Sequence, residues 1–432
     1  MHPGLMDVAR GLFGMVALIA IAWVFSVNRK RIHWRLVVSG TLLQVVIAWL
    51  VIKVPAVRAG FEQVSRFFIE LMAFSRAGAE FLFGGLMNPD TMGFIFAFQV
   101  LPTIVFFSAL TSALYYLNIL QWVVYAFAWI MHRTMRLSGA ESLAAAANIF
   151  VGQTEAPLVV KPYLERMTRS EMLSLMTGGM ATIAGAVLVA YIGILGGGDP
   201  EQMQYFATHL LIASIISAPA ALMTAKIMLP ETEEVDRNLD VPRHSMGGNL
   251  LDAIATGTSQ GIKLAVNVAA MLLVFTAMIA LVNYLMGDLL GEASGLNARI
   301  AAWSGGRYDT LSLQVVLGLL FAPVAWLIGV PGGDLLTVGQ LLGEKTILNE
   351  FYAYVTFGQL KEAGVIVSPK SILITTYALC GFANVASIGI QLGGISALAP
   401  GQRMTLAQLG VKALIAGTIA SLLTACVAGM LV

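Results

Sequence analysis

Long apolar runs separated by short polar segments dominate the sequence. A helix needs about 20 apolar residues to cross a bilayer, and seven runs are of roughly that length. An eighth crossing is expected around residues 381–387, where a long segment has a flexible, Gly- and Ser-containing centre. The pattern therefore predicts an all-α polytopic membrane protein with about eight transmembrane helices. The seven runs cover residues 12–27, 36–54, 94–117, 173–195, 206–228, 264–285 and 409–431.

Other segments fit the membrane surface or the aqueous phase better than a crossing. Residues 61–83 carry charges at helical intervals, which is typical of an interfacial amphipathic helix. Residues 120–135 are apolar but end in a basic cluster, so we expect a helix near the inner surface. The charged stretch 230–249 is predicted to be a cytoplasmic loop, and 287–309 a partly helical external segment.

A compact polar sequence, Asn148 to Pro157, lies between two apolar arms that are each too short to span the bilayer. Two short arms joined by a breaker indicate a re-entrant hairpin with its tip at mid-membrane. Non-helical backbone is tolerated at that depth only where it lines a cavity or is buried in protein. A carboxylate is costly there, so Glu155 is a functional candidate.

The second half of the chain repeats these features at an offset of 193 to 200 residues. A second polar tip occurs at Asn349-Glu350-Phe351, and flexible centres at 181–185 and 381–387 follow the two tips. Only one crossing separates the units, so the second unit has the opposite orientation. The result is an inverted repeat with two opposed hairpins, an arrangement in which transporters place a mid-membrane site. The expected division is a scaffold at 1–118, a first transport unit at 119–229, a connecting scaffold region at 230–311 and a second transport unit at 312–432.

Composition supports a membrane protein and argues against a soluble protein or a nucleic-acid binder. Hydrophobic residues make up 58% and charged residues 11%, whereas soluble proteins carry about 25% charged residues. A formal net charge of +1 argues against a nucleic-acid binder. Four basic residues between 29 and 35 place that loop in the cytoplasm, so both termini are expected on the outer side of the membrane. Cys380 and Cys426 are interpreted as buried apolar residues.

The two tips and the second flexible centre contain amide, hydroxyl and carboxylate groups suited to a neutral ligand rich in hydroxyls. Two structural interpretations stay open. In the first, Glu155 and Glu350 are paired structural charges that cap short helices. In the second, Asn384 and Ser387 only form hydrogen bonds with backbone groups left unpaired at the helix break. The candidate side chains are Gln153, Thr154, Glu155, Glu350, Asn384 and Ser387, with Phe382 as an apolar platform.

Three ordered motifs carry a specific resemblance. Gly152-Gln153-Thr154-Glu155-Ala156-Pro157, Asn349-Glu350-Phe351-Tyr352-Ala353-Tyr354 and Cys380-Gly381-Phe382-Ala383-Asn384 resemble signatures of the concentrative nucleoside transporters, and the likeness runs through nearly the whole chain. The resemblance implies that Gln153, Thr154 and Glu155 bind the nucleobase, and that Glu350, Asn384 and Ser387 bind ribose. Val187 and Phe382 resemble the family's apolar contacts.

The resemblance also implies a sodium site between the first hairpin and the first interrupted helix. Its ligands would be the Asn148 side chain, the Val151 carbonyl, the Thr182 hydroxyl and the Ile183 carbonyl; a hard cation prefers such oxygen ligands. Further implications are a homotrimer, elevator-like alternating access, import of nucleosides such as uridine, cytidine or adenosine, and no cofactor beyond the coupling ion.

Three alternatives remain at this stage. A proton-coupled carrier would use the same residues, with Glu155 carrying the proton. A membrane-embedded enzyme would use Glu155 and Glu350 as an acid/base pair, although the five scattered histidines offer no metal cluster. A channel is the third, but two opposed hairpins with a ligand-sized polar cluster fit a gated binding site better.

Overall fold

The computed structural model describes residues 4–93, 95–239, 248–306 and 308–431, and these ranges are helical without a β-strand. The first half contains α1 Leu5–Val24, α2 Trp34–Lys53, α3 Pro55–Phe83, α4 Pro89–Met92, α5 Phe96–Gln99, α6 Leu101–Tyr116, α7 Ile119–Met135, α8 Gly139–Asn148, α9 Ala156–Val159, α10 Lys161–Leu164, α11 Arg169–Ala181, α12 Gly185–Gly196 and α13 Pro200–Met228. The second half contains α14 Leu250–Asn283, α15 Glu292–Ser294, α16 Leu296–Ser304, α17 Leu313–Leu327, α18 Leu335–Ile347, α19 Glu350–Glu362, α20 Pro369–Leu379, α21 Val385–Leu398 and α22 Arg403–Leu431.

Seven helical stretches of the described chain are long and apolar enough to cross a membrane. They correspond to the seven predicted runs, and α20 with α21 forms the eighth, interrupted crossing, so the predicted fold class is confirmed. Phe94, the predicted start of one run, lies outside the described residues. The stretches are Met6–Val24, Trp34–Lys53, Phe96–Tyr116, Arg169–Gly196, Pro200–Met228, Leu250–Ser294 and Pro400–Leu431.

One helix is much longer than predicted. The sequence pattern places a span at 264–285, whereas α14 begins at Leu250 and continues through a π-helical segment, Tyr284–Gly291. The side chain of Asn249 caps its start by accepting a hydrogen bond from the backbone N–H of Asp252 (2.9 Å). The first turns of α14 contain several polar residues, so hydropathy alone does not predict that the helix begins there.

The first hairpin consists of α8, a non-helical tip and the short helices α9 and α10. A capping box starts α8: Ser138 and Glu141 exchange side-chain and backbone hydrogen bonds, which satisfies two buried N–H groups that have no partner within the helix. The second hairpin consists of α18 and α19, and the side chain of Asn349 caps α19 by accepting from the Tyr352 N–H (2.8 Å). Both hairpins occur where the sequence predicts them.

Each hairpin is followed by a broken helix. The first break lies between α11 and α12, and the second lies between α20 and α21. The two breaks approach each other closely: Gly381 has φ +114°, and a β-carbon there would come within 2.7 Å of the Ala181 carbonyl oxygen. Only glycine satisfies both the positive φ and the missing space. The repeats end in helices of equal length, α13 and α22, each of 29 residues.

The helix α14 packs at the periphery against α6. Gly257 and Gly261 lie one turn apart on the contact face, where a β-carbon would come within 3 Å of Ser112, Ser108 or Val105 on α6. Small residues at this spacing let two membrane helices approach closely. Most of α14 beyond that face is exposed, whereas the apolar part of α13 is enclosed by other helices.

A buried ionic network ties one end of the first hairpin to neighbouring helices. Lys226 of α13, 6% exposed, contacts Glu141 of α8 (2.5 Å) and Glu231 (3.2 Å). Its ammonium also donates to Ser170 of α11 (2.9 Å). Burial alone would raise the pKa of Glu231, but the Lys226 ammonium lowers it below its ordinary value. Glu231 therefore stays ionised at neutral pH.

Lys226→Met is expected to destabilise the protein, because the substitution leaves the Glu141 carboxylate buried without its cation. Breaking a buried pair in this way costs about 3–5 kcal/mol. We expect Tm of the detergent-solubilised protein to fall by several degrees. The matched control is Lys30→Met, which removes an exposed lysine; equal Tm values for the two variants would contradict this role of the network.

Candidate functional site

A cavity of about 430 Å³ opens where the two hairpin tips meet the two broken helices and α14. Its wall includes every side chain that the sequence assigns to substrate binding, although these residues come from four separate segments. The structure therefore brings the whole predicted set together. The eight residues are Gln153, Thr154, Glu155, Val187, Glu350, Phe382, Asn384 and Ser387.

The first tip contributes a fixed amide and two more accessible polar groups. Gln153 is 9% exposed; its Nε2 donates to Ser387 Oγ (3.2 Å), and its Oε1 accepts from Gln391 Nε2 (3.0 Å). Thr154 is exposed and Glu155 is half-buried. Because Gln153 is held from both sides, its amide presents a donor and an acceptor at a defined position.

The second tip contributes a buried carboxylate. Glu350 is 4% exposed, and its Oε2 accepts from Asn384 Nδ2 at 2.7 Å while its Oε1 accepts from the Tyr191 hydroxyl at 3.3 Å. Each carboxylate oxygen has further lone pairs for ligand hydroxyls. Glu350 is therefore oriented by two side chains and still able to bind.

Asn384 has a position that differs from its prediction. The three-residue spacing suggests that Asn384 and Ser387 share one helix face, but Asn384 precedes α21 and caps it. Its Oδ1 accepts from the backbone N–H of Ser387 (2.9 Å), and its Nδ2 donates to Glu350. Asn384 thus pairs with a backbone N–H at the helix break and also orients the Glu350 carboxylate. It therefore has the structural role that the sequence left open as well as a position in the site.

Apolar walls complete the cavity. Val187 of α12 is 1% exposed, and Phe382, in the second break, is 8% exposed. Both side chains line the cavity. A flat aromatic ring and a branched aliphatic group enclose an apolar space beside the polar groups, which suits a ligand with one aromatic part and one hydroxylated part.

The four predicted cation ligands lie around the first tip and the first break. Asn148, 1% exposed, ends α8 and lies against Gly178 of α11. Val151 follows in the tip, while Thr182 and Ile183 lie in the break. The tip and the break are joined directly, since the Gly185 N–H donates to the Phe150 carbonyl (2.9 Å).

The donor set fits a hard cation. Neither the oxygen nor the nitrogen of the buried Asn148 amide has a hydrogen-bond partner among the described residues, and a bound ion or water is one explanation for such an unpaired group in a native fold. The Thr182 hydroxyl donates to the Gly178 carbonyl (2.8 Å), so its lone pairs remain available. Carbonyls at a helix break and the C-terminal end of a half-helix favour a cation.

The sequence interpretation missed one wall of the cavity. Gln260, Lys263 and Asn267 of α14 line it together with three apolar residues of the same helix. These three residues are spaced three and four positions apart in an otherwise apolar helix. That spacing indicates one polar helix face and could have predicted a contact with the site. The apolar neighbours are Leu264, Val268 and Met271.

Two supporting residues were also missed. Tyr191 holds Glu350 and stacks on Tyr354 with ring centroids 4.1 Å apart. Gln391 bridges Gln153 and the Met176 carbonyl (3.0 Å to each). Neither belongs to a motif, so only the tertiary structure places them next to the site.

Comparisons with known proteins agree with this geometry. Models described as Na⁺-dependent nucleoside transporter N-terminus and C-terminus match residues 13–86 and 209–429, and a nucleoside recognition model matches 97–198. An uncharacterised transporter of Haemophilus influenzae is 43% identical over 99% of this chain and 98% of its own length.

Two solved structures of the transporter CNTnw are also similar to this chain. The inward-facing, substrate-bound structure is 40% identical with a TM-score of 0.86, covering 98% of both chains. A doubly substituted form of CNTnw in an outward-facing state is also 40% identical with a TM-score of 0.86, covering 99% of this chain and 98% of the other.

Proposed function

Because the chain belongs to the Na⁺-dependent nucleoside transporter family, and is thus a transporter rather than an enzyme, we propose that it imports nucleosides by symport with Na⁺. The observation that carries the proposal is the cavity between the two hairpin tips, which joins a fixed amide, an oriented carboxylate and an apolar wall. A channel would not need these three features in one ligand-sized space.

The two parts of a nucleoside match the two sides of the cavity. Gln153, with Thr154 and Glu155, binds the nucleobase edge, because its amide offers both a donor and an acceptor. Glu350 binds the ribose hydroxyls, with Asn384 and Ser387 completing that side. Phe382 and Val187 contact the apolar faces. Charge-assisted hydrogen bonds make the ribose side the stronger half of the site.

Na⁺ binds at Asn148, Val151, Thr182 and Ile183 and holds the first tip against the first break. The same tip carries Gln153, only five residues after Asn148. Ordering the tip therefore forms the base-binding half of the site, and the entropy cost of that ordering is met before the nucleoside arrives. This adjacency couples the ion to the substrate.

The movement is of the elevator type. The hairpins and broken helices form the mobile unit, and α14, with α1 to α6, forms the scaffold. The cavity lies at their boundary, since Gln260, Lys263 and Asn267 of α14 supply one wall. When the mobile unit moves along α14, the site exchanges this wall for another and opens to the opposite side of the membrane.

The protein assembles as a homotrimer in a bacterial inner membrane with both termini outside.

Proton coupling is the second candidate, and one contact favours it. The Glu155 carboxylate folds back over Gly152, where a β-carbon would collide with it, and Gly152 directly follows the proposed cation ligand Val151 in the chain. A proton on Glu155 could then replace the effect of the cation on the tip. In that case a pH gradient, without Na⁺, would drive uptake.

Gln153→Ala is expected to change the preference among nucleobases more than the recognition of ribose. The variant loses one or two hydrogen bonds of about 0.5–1.5 kcal/mol each, so affinity for the best base falls roughly tenfold. Competition curves against [³H]uridine uptake measure the preference. Gln359→Ala, which removes an exposed Gln of α19, is the matched control; an unchanged order of bases in Gln153→Ala would contradict the assignment.

Substrate counterflow in proteoliposomes tests the proposed function as a whole. Vesicles are loaded with one of a panel of compounds, and [³H]uridine entry is followed with Na⁺ or choline outside and inside. We expect nucleosides to support counterflow in Na⁺, and free bases, free ribose and nucleotides to fail. Counterflow by free bases or nucleotides equal to that of nucleosides would refute the two-sided site.

A further inference from the structure

A buried lysine lies in the second hairpin, outside the set of substrate and cation residues. Lys345 is 3% exposed and is near the end of α18. Its ammonium donates to the backbone carbonyls of Ala378 (2.9 Å) and Cys380 (3.5 Å). Both acceptors are backbone oxygens, so the contact does not depend on the identity of the side chains at positions 378 and 380.

The two carbonyls belong to the C-terminal end of a broken helix. Ala378 is in the last turn of α20, and Cys380 follows its last residue. The last carbonyls of a helix lack partners within the helix, and they carry the negative end of the helix dipole. Because Cys380 is completely buried, these groups lie away from bulk water. The position therefore requires a cation or an equivalent donor.

The first repeat has the same arrangement with a different occupant. Asn148 is near the end of the first arm of its hairpin and faces the last turn of α11 at Gly178. Lys345 follows Asn148 by 197 positions, which is inside the offset that relates the repeats. The first repeat thus has an amide without a partner, and the second has an ammonium with two carbonyl acceptors.

We propose that the Lys345 ammonium is a built-in counterpart of the coupling cation. In the second repeat it occupies the place, between hairpin arm and broken helix, that Na⁺ takes in the first; the inference rests on the sodium coupling proposed above. The second hairpin is then held to its broken helix at all times, and the first is held only when Na⁺ is bound. One exchangeable cation site per protomer follows.

The position also supports the substrate site. Lys345 is five residues before Glu350 in the chain, and Cys380 leads into the break that carries Phe382 and Asn384. Fixing the end of α20 therefore fixes the groups that orient Glu350. Lys345 is a positioning residue, because its ammonium contacts backbone carbonyls and does not line the cavity.

Equilibrium binding of [³H]uridine to purified protein at increasing Na⁺ tests the proposal. In Lys345→Met, which has similar length but no charge, we expect affinity to fall at least about tenfold at saturating Na⁺. In Lys345→Asn, a side chain like that of Asn148 leaves room for a second cation. Affinity should then recover as Na⁺ rises, with the Hill coefficient increasing from about 1 towards about 2. Lys345→Arg should stay within roughly threefold of the wild type.

Two results would contradict the proposed role of Lys345. Wild-type affinity in Lys345→Met, or an unchanged Na⁺ Hill coefficient in Lys345→Asn, would overturn the proposal. If the Lys345 variants do not fold, Asn148→Lys is measured in choline: binding without Na⁺ supports the proposal, and a fully Na⁺-dependent variant refutes it. Absence of any Na⁺ effect on wild-type binding would instead refute the sodium coupling, while the Lys345→Met result would still report on the fixed charge.

Discussion

Replacement of Glu350 by Gln is expected to weaken nucleoside binding by roughly 100-fold, because hydrogen bonds to a charged group contribute about 1.5–3 kcal/mol each. The carboxylate is buried and already accepts from Asn384 and Tyr191. A neutral amide has one acceptor oxygen, so it cannot accept from both and also from ribose hydroxyls. The equilibrium Kd of [³H]uridine measures the loss.

The control for this prediction is Glu362→Gln, the same change at an exposed position near the end of α19. It should leave Kd unchanged. A second comparison uses 2′- and 3′-deoxynucleosides: their disadvantage relative to ribonucleosides should shrink in Glu350→Gln, because the group that recognises the hydroxyls has lost its charge. Uridine binding at wild-type affinity in Glu350→Gln would contradict the ribose assignment.

Asn148→Ala is expected to raise the Na⁺ concentration for half-maximal uptake at least about tenfold, since the cation loses one of its few oxygen ligands. The same change removes a buried amide that has no partner within the described structure. An unsatisfied buried polar group costs about 1–3 kcal/mol, so stability without Na⁺ should not fall. Thermal unfolding with and without Na⁺ separates the two effects.

The effect of Na⁺ on Tm distinguishes a cation ligand from a residue that does not bind the cation. Na⁺ should raise Tm of the wild type, because a ligand that binds only the folded state stabilises it, and should not raise Tm of Asn148→Ala. The control Asn28→Ala, at an exposed loop position, should respond to Na⁺ as the wild type does. An equal Tm increase in all three proteins would exclude Asn148 as a cation ligand.

Much of the fold follows from the sequence because the bilayer restricts it strongly. Apolar runs of spanning length give the crossings, and arms too short to cross, joined by polar breakers, give the hairpins. The inverted repeat follows from the order of these features and the single crossing between them. The division into scaffold and transport units remains a prediction.

Tertiary contacts explain what the sequence did not provide. The polar face of α14 meets the site only because α14 begins at Leu250 and passes beside both tips. Tyr191 and Gln391 act through side chains of other segments, and no local pattern marks such partners. The spacing predicts Asn384 on a helix face, because spacing alone does not distinguish the first helical residues from the residue that caps them.

Uptake of [³H]uridine into proteoliposomes of the wild-type protein tests the central claim most directly. An inward Na⁺ gradient at equal pH on both sides should accumulate uridine above its external concentration, and an inward proton gradient in choline should not. Dissipating the Na⁺ gradient should release the accumulated uridine. Equal uptake with and without the Na⁺ gradient would contradict sodium-coupled transport.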